Sequence, residues 1–311
     1  MKVLSFTYGD NIPKIGILWD SNEIIDVKNS CKAMRSNLFD GINNLENLIV
    51  LGDEGISKLK QFLQDLRNLL KDDKNKFDSI KENHFLNLEK IGFLAPTYNP
   101  QKIVCLGRNF VDHAKEGGKE APKQPMIWGK FNSSIIAHKE NIILPKISEK
   151  VDVEIELVAV IGKKGKHIPE DKALDHVFGY MIGNDVSARD FQYMDVQFTR
   201  AKTMDTFTPV GPWIVTKDEI PNTENLDLEL KVNGKTWQKS NTKNMSFQVP
   251  FTISYLSKSF TFMPGDLIFM GTPAGVGHYQ DPPIYLKAGD TVSLTIDKIG
   301  TLENPVIDEK Q

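Results

Sequence analysis

The stretch from residue 151 to residue 162 constrains the fold most, because it places three acids directly before an uncharged apolar run. Asp152, Glu154 and Glu156 alternate with apolar residues, and residues 157–161 are all apolar. Alternate side chains of a β-strand share one face, so the three carboxylates are expected to point the same way. The apolar continuation predicts that this strand enters the core of the protein.

Two interpretations of these acids are open from the spacing alone. Carboxylates this close repel one another unless a cation neutralises them, which suggests a metal site. The alternative is an edge strand whose exposed face is simply charged. Asp185 favours the metal site, because it directly follows an apolar strand at residues 179–184. Oxygen donors from Glu154, Glu156 and Asp185 would suit Mg²⁺ or Mn²⁺, whereas zinc is disfavoured because no Cys or His pair has ligand spacing.

The rest of the chain predicts an α+β fold that is rich in strands. Residues 2–27 alternate apolar runs with turn residues, as in a small antiparallel meander, and an apolar stripe predicts a helix from about residue 53 to residue 71. The Lys- and Asp-rich residues 71–82 are expected to form a solvated surface. Pro96 and Pro100 mark a boundary. Further strands are predicted at 103–106, 142–144, 154–161, 179–184, 213–216, 226–232, 267–270 and 292–296.

We therefore predict a small N-terminal α/β accessory domain over residues 1–95 and a catalytic domain over residues 96–311. Lys and Arg number 38 and Asp and Glu 41, so the net charge of −3 offers no general attraction to nucleic acid or anionic membranes. The chain has no uncharged apolar run of about 18 residues, and its N-terminus lacks the apolar region of a signal peptide. Two cysteines are too few for a disulfide framework, so a cytoplasmic location is expected.

Among the six histidines, His113 is distinctive because it lies in a short predicted helix that follows a strand. Asn109 is the expected N-cap of this helix, and two glycines at 117 and 118 end it. Glu116 lies three residues after His113 and is therefore its neighbour on the helix surface. A carboxylate beside an imidazole fixes its tautomer and raises its basicity, as a general base requires. The residues alone leave a surface His–Glu pair as the alternative.

Several motifs follow one another along residues 95–306. They are Gly-Arg-Asn-Phe-x-x-His-x-x-Glu at 107–116, Glu-x-Glu at 154–156, Asn-Asp-Val-Ser-Ala-Arg-Asp at 184–190, Lys202, Pro-Val-Gly-Pro at 209–212, Pro-Gly-Asp at 264–266 and Gly-Thr-Pro-Ala-Gly-Val-Gly at 271–277. In this order they resemble the motifs of the fumarylacetoacetate hydrolase superfamily, in particular its branch of acylpyruvate hydrolases and 2-hydroxyhepta-2,4-diene-1,7-dioate isomerases. The resemblance implies a mixed β-sandwich or β-roll catalytic domain that assembles as a homodimer.

The resemblance also implies roles for individual residues. Glu154, Glu156 and Asp185 match the ligands of the family's Mg²⁺ or Mn²⁺ ion. His113 and Glu116 look like the dyad that activates water in acylpyruvate hydrolases. The remaining implied positions are an active-site lysine, Lys202, and the substrate contacts Arg108, Lys130, Gln192 and Thr272.

The expected reaction is hydrolysis of a C–C bond in a 1,3-diketo acid, such as an acylpyruvate, to pyruvate or a related keto acid and a carboxylic acid. One alternative is an isomerase or decarboxylase of unsaturated 2-keto acids in aromatic catabolism, including an oxaloacetate decarboxylase type. A rival from another class is a non-catalytic metal- or ligand-binding domain. In each case the expected partner is a small keto or diketo acid, and no nucleic acid or membrane partner is expected.

Overall fold

Strands dominate the secondary structure, as the sequence predicted, and the strand-rich α+β class is confirmed. The computed structural model describes residues 1–195 and 197–310. Across these two ranges, no helix is both long enough and apolar enough to span a bilayer.

The first 95 residues combine short strands with helices. The predicted helix at 53–71 is confirmed as a helix that buries one apolar face. The strands are β1 (Lys2–Thr7), β2 (Lys14–Leu18), β3 (Glu23–Asp26), β4 (Phe85–Asn87) and β5 (Gly92–Leu94), and the helices are α1 (Val27–Ala33), α2 (Leu45–Val50), α3 (Asp53–Asp72) and α4 (Lys74–His84), with a 3₁₀ turn at Leu88–Lys90.

The charged segment 71–82 is a solvated surface, as predicted, except for two buried apolar residues. Most of it belongs to α4, whose first turn is capped by the Asp73 side chain accepting a hydrogen bond from the Lys76 backbone. Phe77 and Ile80, three residues apart, are buried. These two apolar residues at helical spacing attach one face of the short helix to the core, while its charged residues are exposed or half-buried.

The remaining residues contain each of the eight strands expected there. The strands at 126–130, 135–136, 187–188, 235–241 and 300–308 were not predicted. The strands are β6 (Ile103–Gly107), β7 (Met126–Lys130), β8 (Ile135–Ile136), β9 (Ile142–Leu144), β10 (Val151–Asp152), β11 (Ile155–Ile161), β12 (Val177–Asn184), β13 (Ser187–Ala188), β14 (Thr208–Thr216), β15 (Asp227–Val232), β16 (Lys235–Asn241), β17 (Leu267–Phe269), β18 (Thr291–Ile296) and β19 (Gly300–Asp308).

Short helices connect these strands. They are α5 (Val111–Glu116), α6 (Arg189–Met194), α7 (Thr199–Lys202) and α8 (Val249–Ser257), with 3₁₀ turns at Asn132–Ser134, Glu170–His176, Thr242–Asn244 and Gly277–Tyr279.

The largest sheet runs through both halves of the chain, in the order β4-β3-β2-β1-β14-β12-β11-β17-β6-β7, with β5 beside β1 and β8 beside β14. The strands of residues 1–95 extend this sheet, because β1 pairs antiparallel with β14. A second sheet has the order β16-β15-β18-β19-β9, and β10 pairs with β13. The accessory domain thus shares a sheet with the rest of the chain, and the boundary at residue 95 stays a prediction.

Candidate active site

Four strand ends meet at one edge of the large sheet. β11 is antiparallel to β12 and β17, and β17 is parallel to β6. The start of β11 therefore lies beside the ends of the other three strands. Glu154 immediately precedes β11 and Asp185 immediately follows β12, and the Asp185 backbone donates a hydrogen bond to Glu154 O at 2.9 Å. Helix α5 follows β6 and the glycine-rich loop at 271–277 follows β17, so the motifs at 107–116, 154–156, 184–190 and 271–277 reach the same edge.

Three carboxylates form an acidic cluster at this edge. One oxygen from each of Glu154, Glu156 and Asp185 lies within 4.8 Å of the others, and all three side chains are buried. Burial, together with the charges of Asp185 and Glu154, raises the pKa of Glu156 well above its ordinary value. Burial also opposes ionisation of Glu154, but the positive charges of Lys202 and Arg189 outweigh it and hold the pKa of Glu154 below its ordinary value. The negative charge of Glu154 is thus compensated by two cationic side chains, while Glu156 has no ion pair within residues 1–195 and 197–310.

Glu156 indicates most directly that the cluster suits a metal ion. Its Oε2 accepts a hydrogen bond from Gly271 N at 2.6 Å, but its Oε1 has no hydrogen-bond partner within residues 1–195 and 197–310. A buried carboxylate oxygen is unfavourable unless a donor or cation contacts it. Hard divalent ions prefer oxygen ligands, so Glu154, Glu156 and Asp185 fit Mg²⁺ or Mn²⁺. The edge-strand alternative fails, because β11 has a paired strand on each side.

Lys202 lies against two members of the acidic cluster. Its Nζ donates hydrogen bonds to Glu154 Oε2 at 2.7 Å and to Asp185 Oδ2 at 2.5 Å. Burial disfavours the ammonium form, but the charges of Asp185 and Glu154 more than offset it and raise the pKa of Lys202 above its ordinary value. Lys202 therefore places a positive charge directly beside these two carboxylates.

Lys130 lies behind Asp185, not at the wall of a cavity where a substrate could reach it. Its fully buried Nζ donates hydrogen bonds to Asp185 Oδ1 at 2.6 Å and to Phe207 O at 2.9 Å. The expected substrate contact is thus replaced by a contact with a member of the acidic cluster. Lys130 ends β7, and its side chain reaches Asp185 just after the end of β12 and Phe207 just before the start of β14.

Asp152, the third acid of the alternating stretch, lies beside the acidic cluster but is not a member of it. The strand is interrupted after Asp152, which pairs in β10 with β13, and β11 starts only at Ile155. Asp152 Oδ2 accepts a hydrogen bond from Arg189 Nε at 3.0 Å, and its Oδ1 accepts one from Gly277 N at 2.9 Å. Arg189 also lies 2.7 Å from Glu154 Oε1. Asp152 therefore anchors Arg189 and the end of the glycine-rich loop.

His113 and Glu116 form the predicted pair, and they are not a surface pair. His113 Nδ1 lies 2.8 Å from Glu116 Oε1, and the two side chains are 13% and 19% exposed. Glu116 Oε2 accepts a hydrogen bond from Gly275 N at 2.8 Å. The glycine-rich loop thus holds the carboxylate, and the carboxylate orients the imidazole.

Asn109 is not the N-cap of α5. The N-cap is Phe110, which makes no side-chain capping bond. Asn109 is instead buried, and its Nδ2 donates hydrogen bonds to Phe247 O at 3.0 Å and Met270 O at 2.7 Å. It ties the start of the motif at 107–116 to the strand end that precedes Gly271, a role that capping rules do not address.

A cavity of about 410 Å³ joins the His–Glu pair to the acidic cluster. Three of the four predicted substrate contacts lie on its wall, together with His113, two acids and two buried cations. Its lining includes Arg108, His113, Lys119, Glu154, Glu156, Arg189, Gln192, Tyr193, Lys202, Thr272, His278 and Tyr279. The structure thus brings the candidate site residues together around the cavity and the acidic cluster. Lys130 is the exception, because it contacts Asp185 but does not line the cavity. Their roles stay proposals.

Gln238 is a buried residue of the site that the sequence did not indicate. Its Oε1 accepts a hydrogen bond from Ile155 N at 3.0 Å, and its Nε2 donates to Thr272 Oγ1 at 2.8 Å. It therefore links the start of β11 to the glycine-rich loop. No local pattern marks it, because it lies in β16 on a different sheet.

The chain matches known proteins across the region that carries this site. Residues 102–307 match the family model described as the C-terminal domain of fumarylacetoacetate (FAA) hydrolase. The chain is 45% identical over 252 residues to the mitochondrial oxaloacetate tautomerase of Xenopus laevis, and the aligned region covers 80% of this chain and 78% of the relative. It is 46% identical over 220 residues to a mitochondrial oxaloacetate tautomerase of Homo sapiens, covering 70% of each.

Solved structures agree with this assignment. The 2-hydroxyhepta-2,4-diene-1,7-dioate isomerase from Mycobacterium marinum is 42% identical with a TM-score of 0.64, covering 74% of this chain and 82% of that one. The fumarylacetoacetate hydrolase from Exiguobacterium antarcticum is 32% identical with a TM-score of 0.77, covering 99% of this chain and 100% of that one. The chain therefore belongs to the fumarylacetoacetate hydrolase family of enzymes.

Proposed function

We propose that this protein is a metal-dependent tautomerase that interconverts the enol and keto forms of a 2-keto dicarboxylic acid, with oxaloacetate as the first candidate. The observation that carries the proposal is the single cavity shared by the His113–Glu116 pair and the acidic cluster. The relatives named oxaloacetate tautomerases, at 45% and 46% identity, support this reaction over the hydrolysis expected from the sequence.

The charge of the cavity wall supports a substrate with two carboxylates. Arg189 and Lys202 on the cavity wall are paired with acids of the site. Arg108 and Lys119 also line the cavity, and they form no ion pair within residues 1–195 and 197–310. These two cations can therefore attract the carboxylates of a substrate, and a bound divalent ion would add further positive charge.

Tautomerisation moves one proton from the enol oxygen and adds one to the neighbouring carbon, and the composition of the substrate does not change. His113 is suited to carry this proton, because its Nδ1 is engaged by Glu116 and its Nε2 can accept and return a proton. Lys202 provides a fixed positive charge beside the acidic cluster. A divalent ion held by Glu154, Glu156 and Asp185 would supply Lewis-acid stabilisation of the negative charge on the enolate oxygens.

Hydrolysis of an acylpyruvate is the second candidate. The 2.8 Å contact between His113 Nδ1 and Glu116 Oε1 favours it, because a base oriented in this way can also deprotonate a water molecule. The two reactions share an enolate, and they differ in whether a C–C bond breaks. The products therefore distinguish them.

The test is the decay of the ultraviolet absorbance of enol-oxaloacetate, followed with the metal-stripped protein and after addition of Mg²⁺ or Mn²⁺. We expect acceleration over buffer that EDTA abolishes and either ion restores. Mass spectrometry of the products of oxaloacetate and of an acylpyruvate runs in parallel. Release of CO₂ would indicate a decarboxylase, and cleavage of the acylpyruvate without acceleration of tautomerisation would indicate a hydrolase.

The role of His113 is tested by His113→Ala, with His84→Ala as the matched control at the end of α4, outside the cavity. General acid–base catalysis contributes about 10²–10⁴-fold, so His113→Ala should lose roughly that factor in kcat while Mg²⁺ binding, measured by calorimetry, persists. Parent-like turnover by His113→Ala would remove this residue from the mechanism.

A further inference from the structure

Two tyrosine hydroxyls bridge the outer end of the cavity. Tyr193 on α6 and Tyr279 in the turn Gly277–Tyr279 are 86 residues apart in sequence, yet their Oη atoms lie 2.8 Å apart. Both side chains line the cavity and are 59% and 39% exposed. Glu154 and Glu156, on the same cavity, are 3% and 1% exposed. The acidic cluster therefore lies at the buried end and the tyrosine bridge at the solvent end.

The bridge is connected to both catalytic sides of the cavity. A Cβ placed on Gly117, directly after α5, would lie 2.9 Å from the Tyr279 hydroxyl, so Tyr279 packs on the end of the helix that carries His113. Tyr193 belongs to α6, which begins at Arg189. The hydroxyl contact thus joins the helix with the His–Glu pair to the helix with the arginine.

We propose that the Tyr193–Tyr279 bridge sets the length of the substrate, favouring a four-carbon dicarboxylate over a seven-carbon one. The inference rests on the proposed function, since it assumes a keto acid anchored at the acidic cluster. A short ligand anchored there ends below the bridge. A longer ligand extends towards solvent and has to separate the two hydroxyls, so its binding is weakened by the free energy of that hydrogen bond.

The test compares kcat/KM for enol-oxaloacetate and for 2-hydroxyhepta-2,4-diene-1,7-dioate in Tyr193→Phe and Tyr279→Phe. Each change keeps the ring and removes the hydrogen bond. We expect the ratio to shift towards the longer substrate by about two- to tenfold, the equivalent of one ordinary hydrogen bond, mainly through KM. The double variant should shift no further than either single one, because all three lack the same bond.

Tyr255→Phe is the matched control, because its hydroxyl donates a hydrogen bond to Gln124 at 2.8 Å outside the cavity. It should leave the ratio unchanged. An equal change for both substrates, or additive effects of the two bridge variants, would overturn the proposal.

Failure of the proposed function is distinguished by binding. If the parent protein turns over neither substrate, the tautomerase proposal is wrong, and the bridge is then judged by calorimetry with succinate and pimelate in the presence of Mg²⁺. A higher affinity of the Phe variants for pimelate relative to succinate supports the bridge. The parent ratio of affinities in these variants refutes it.

Discussion

Replacement of Lys130 by methionine tests how the charge of the acidic cluster is balanced. Lys130 Nζ lies 2.6 Å from Asp185 Oδ1, and both side chains are 0% exposed. The same nitrogen donates to Phe207 O at 2.9 Å. Methionine keeps most of the length and volume of the side chain while it removes the charge and both hydrogen bonds.

The expected loss of stability follows from this geometry. At 2.6 Å and an effective dielectric constant of about 20, the Coulomb attraction is about 6 kcal/mol. The desolvation of both ions opposes this attraction, and removal of one partner from a buried ion pair costs about 3–5 kcal/mol because the other charge is left uncompensated. With an unfolding entropy of about 2.1 cal/mol/K per residue, that loss lowers the Tm of a chain of 311 residues by roughly 5–8 °C.

Metal dependence separates a charge effect from a packing effect. Lys130→Met removes one positive charge from beside the acidic cluster, so binding of a divalent cation should restore part of the lost stability. The assay is thermal unfolding of parent and variant in EDTA and in excess Mg²⁺. We expect Mg²⁺ to raise the Tm of the variant by more than it raises that of the parent.

The control is Lys102→Met, which breaks the 2.8 Å contact of Lys102 Nζ with the buried Asp266 Oδ2 away from the acidic cluster. It should lower Tm but leave the effect of Mg²⁺ as in the parent. The reasoning is refuted if Lys130→Met is as stable as the parent, or if Mg²⁺ stabilises variant and parent equally.

Three further variants test the site and one buried histidine. Glu156→Gln should raise Tm in EDTA, since burial and two neighbouring acids disfavour its charge, but should abolish the increase in Tm with Mg²⁺; a lower Tm in EDTA contradicts this. Gly271→Ala should lose at least about 1–3 kcal/mol of unfolding free energy in denaturant titrations, because φ is +85° and the new Cβ would lie 2.8 Å from Asn109 Cβ; unchanged stability contradicts this. Burial lowers the pKa of His138 from 6.5 to about 4. The neutral imidazole therefore contributes stability above pH 6.5, and this contribution is lost as the pH falls towards 4. The loss is at most about 3 kcal/mol. His138→Gln should flatten this part of the stability–pH curve, and an identical slope in the variant argues against it.

Local spacing sufficed for several parts of the site. The i, i+3 separation of His113 and Glu116 predicts contact on any helix, and the contact is present. The alternation of Glu154 and Glu156 before an apolar run predicts that both carboxylates share a site at the mouth of a buried strand, and both belong to the acidic cluster. These inferences hold because helix and strand geometry alone determines which neighbouring side chains share a face.

Predictions from local spacing failed where contacts with residues far away in the sequence determine the position of the backbone or of a side chain. Asp152 binds Arg189 and the backbone of Gly277 and stays outside the acidic cluster, which no alternation rule reveals. Lys130 turns towards Asp185, 55 residues away in sequence, and so does not reach the cavity. Helix α4 was not predicted, and Phe77 attaches it to the core by packing against the aromatic rings of Trp19 and Phe85.

The sequence by itself determined the strand-rich class, the candidate acids and histidine of the site, and the short-range geometry of the His113–Glu116 pair. The tertiary structure alone decided that these motifs meet, because the pairing of β11 with β12 and β17 brings residues far apart in sequence to one sheet edge. It also decided which cations pair with the buried acids and which side chains meet at the outer end of the cavity. Contacts such as Lys130–Asp185 and Tyr193–Tyr279 depend on strand register and loop path, and neither is encoded in the spacing of nearby residues.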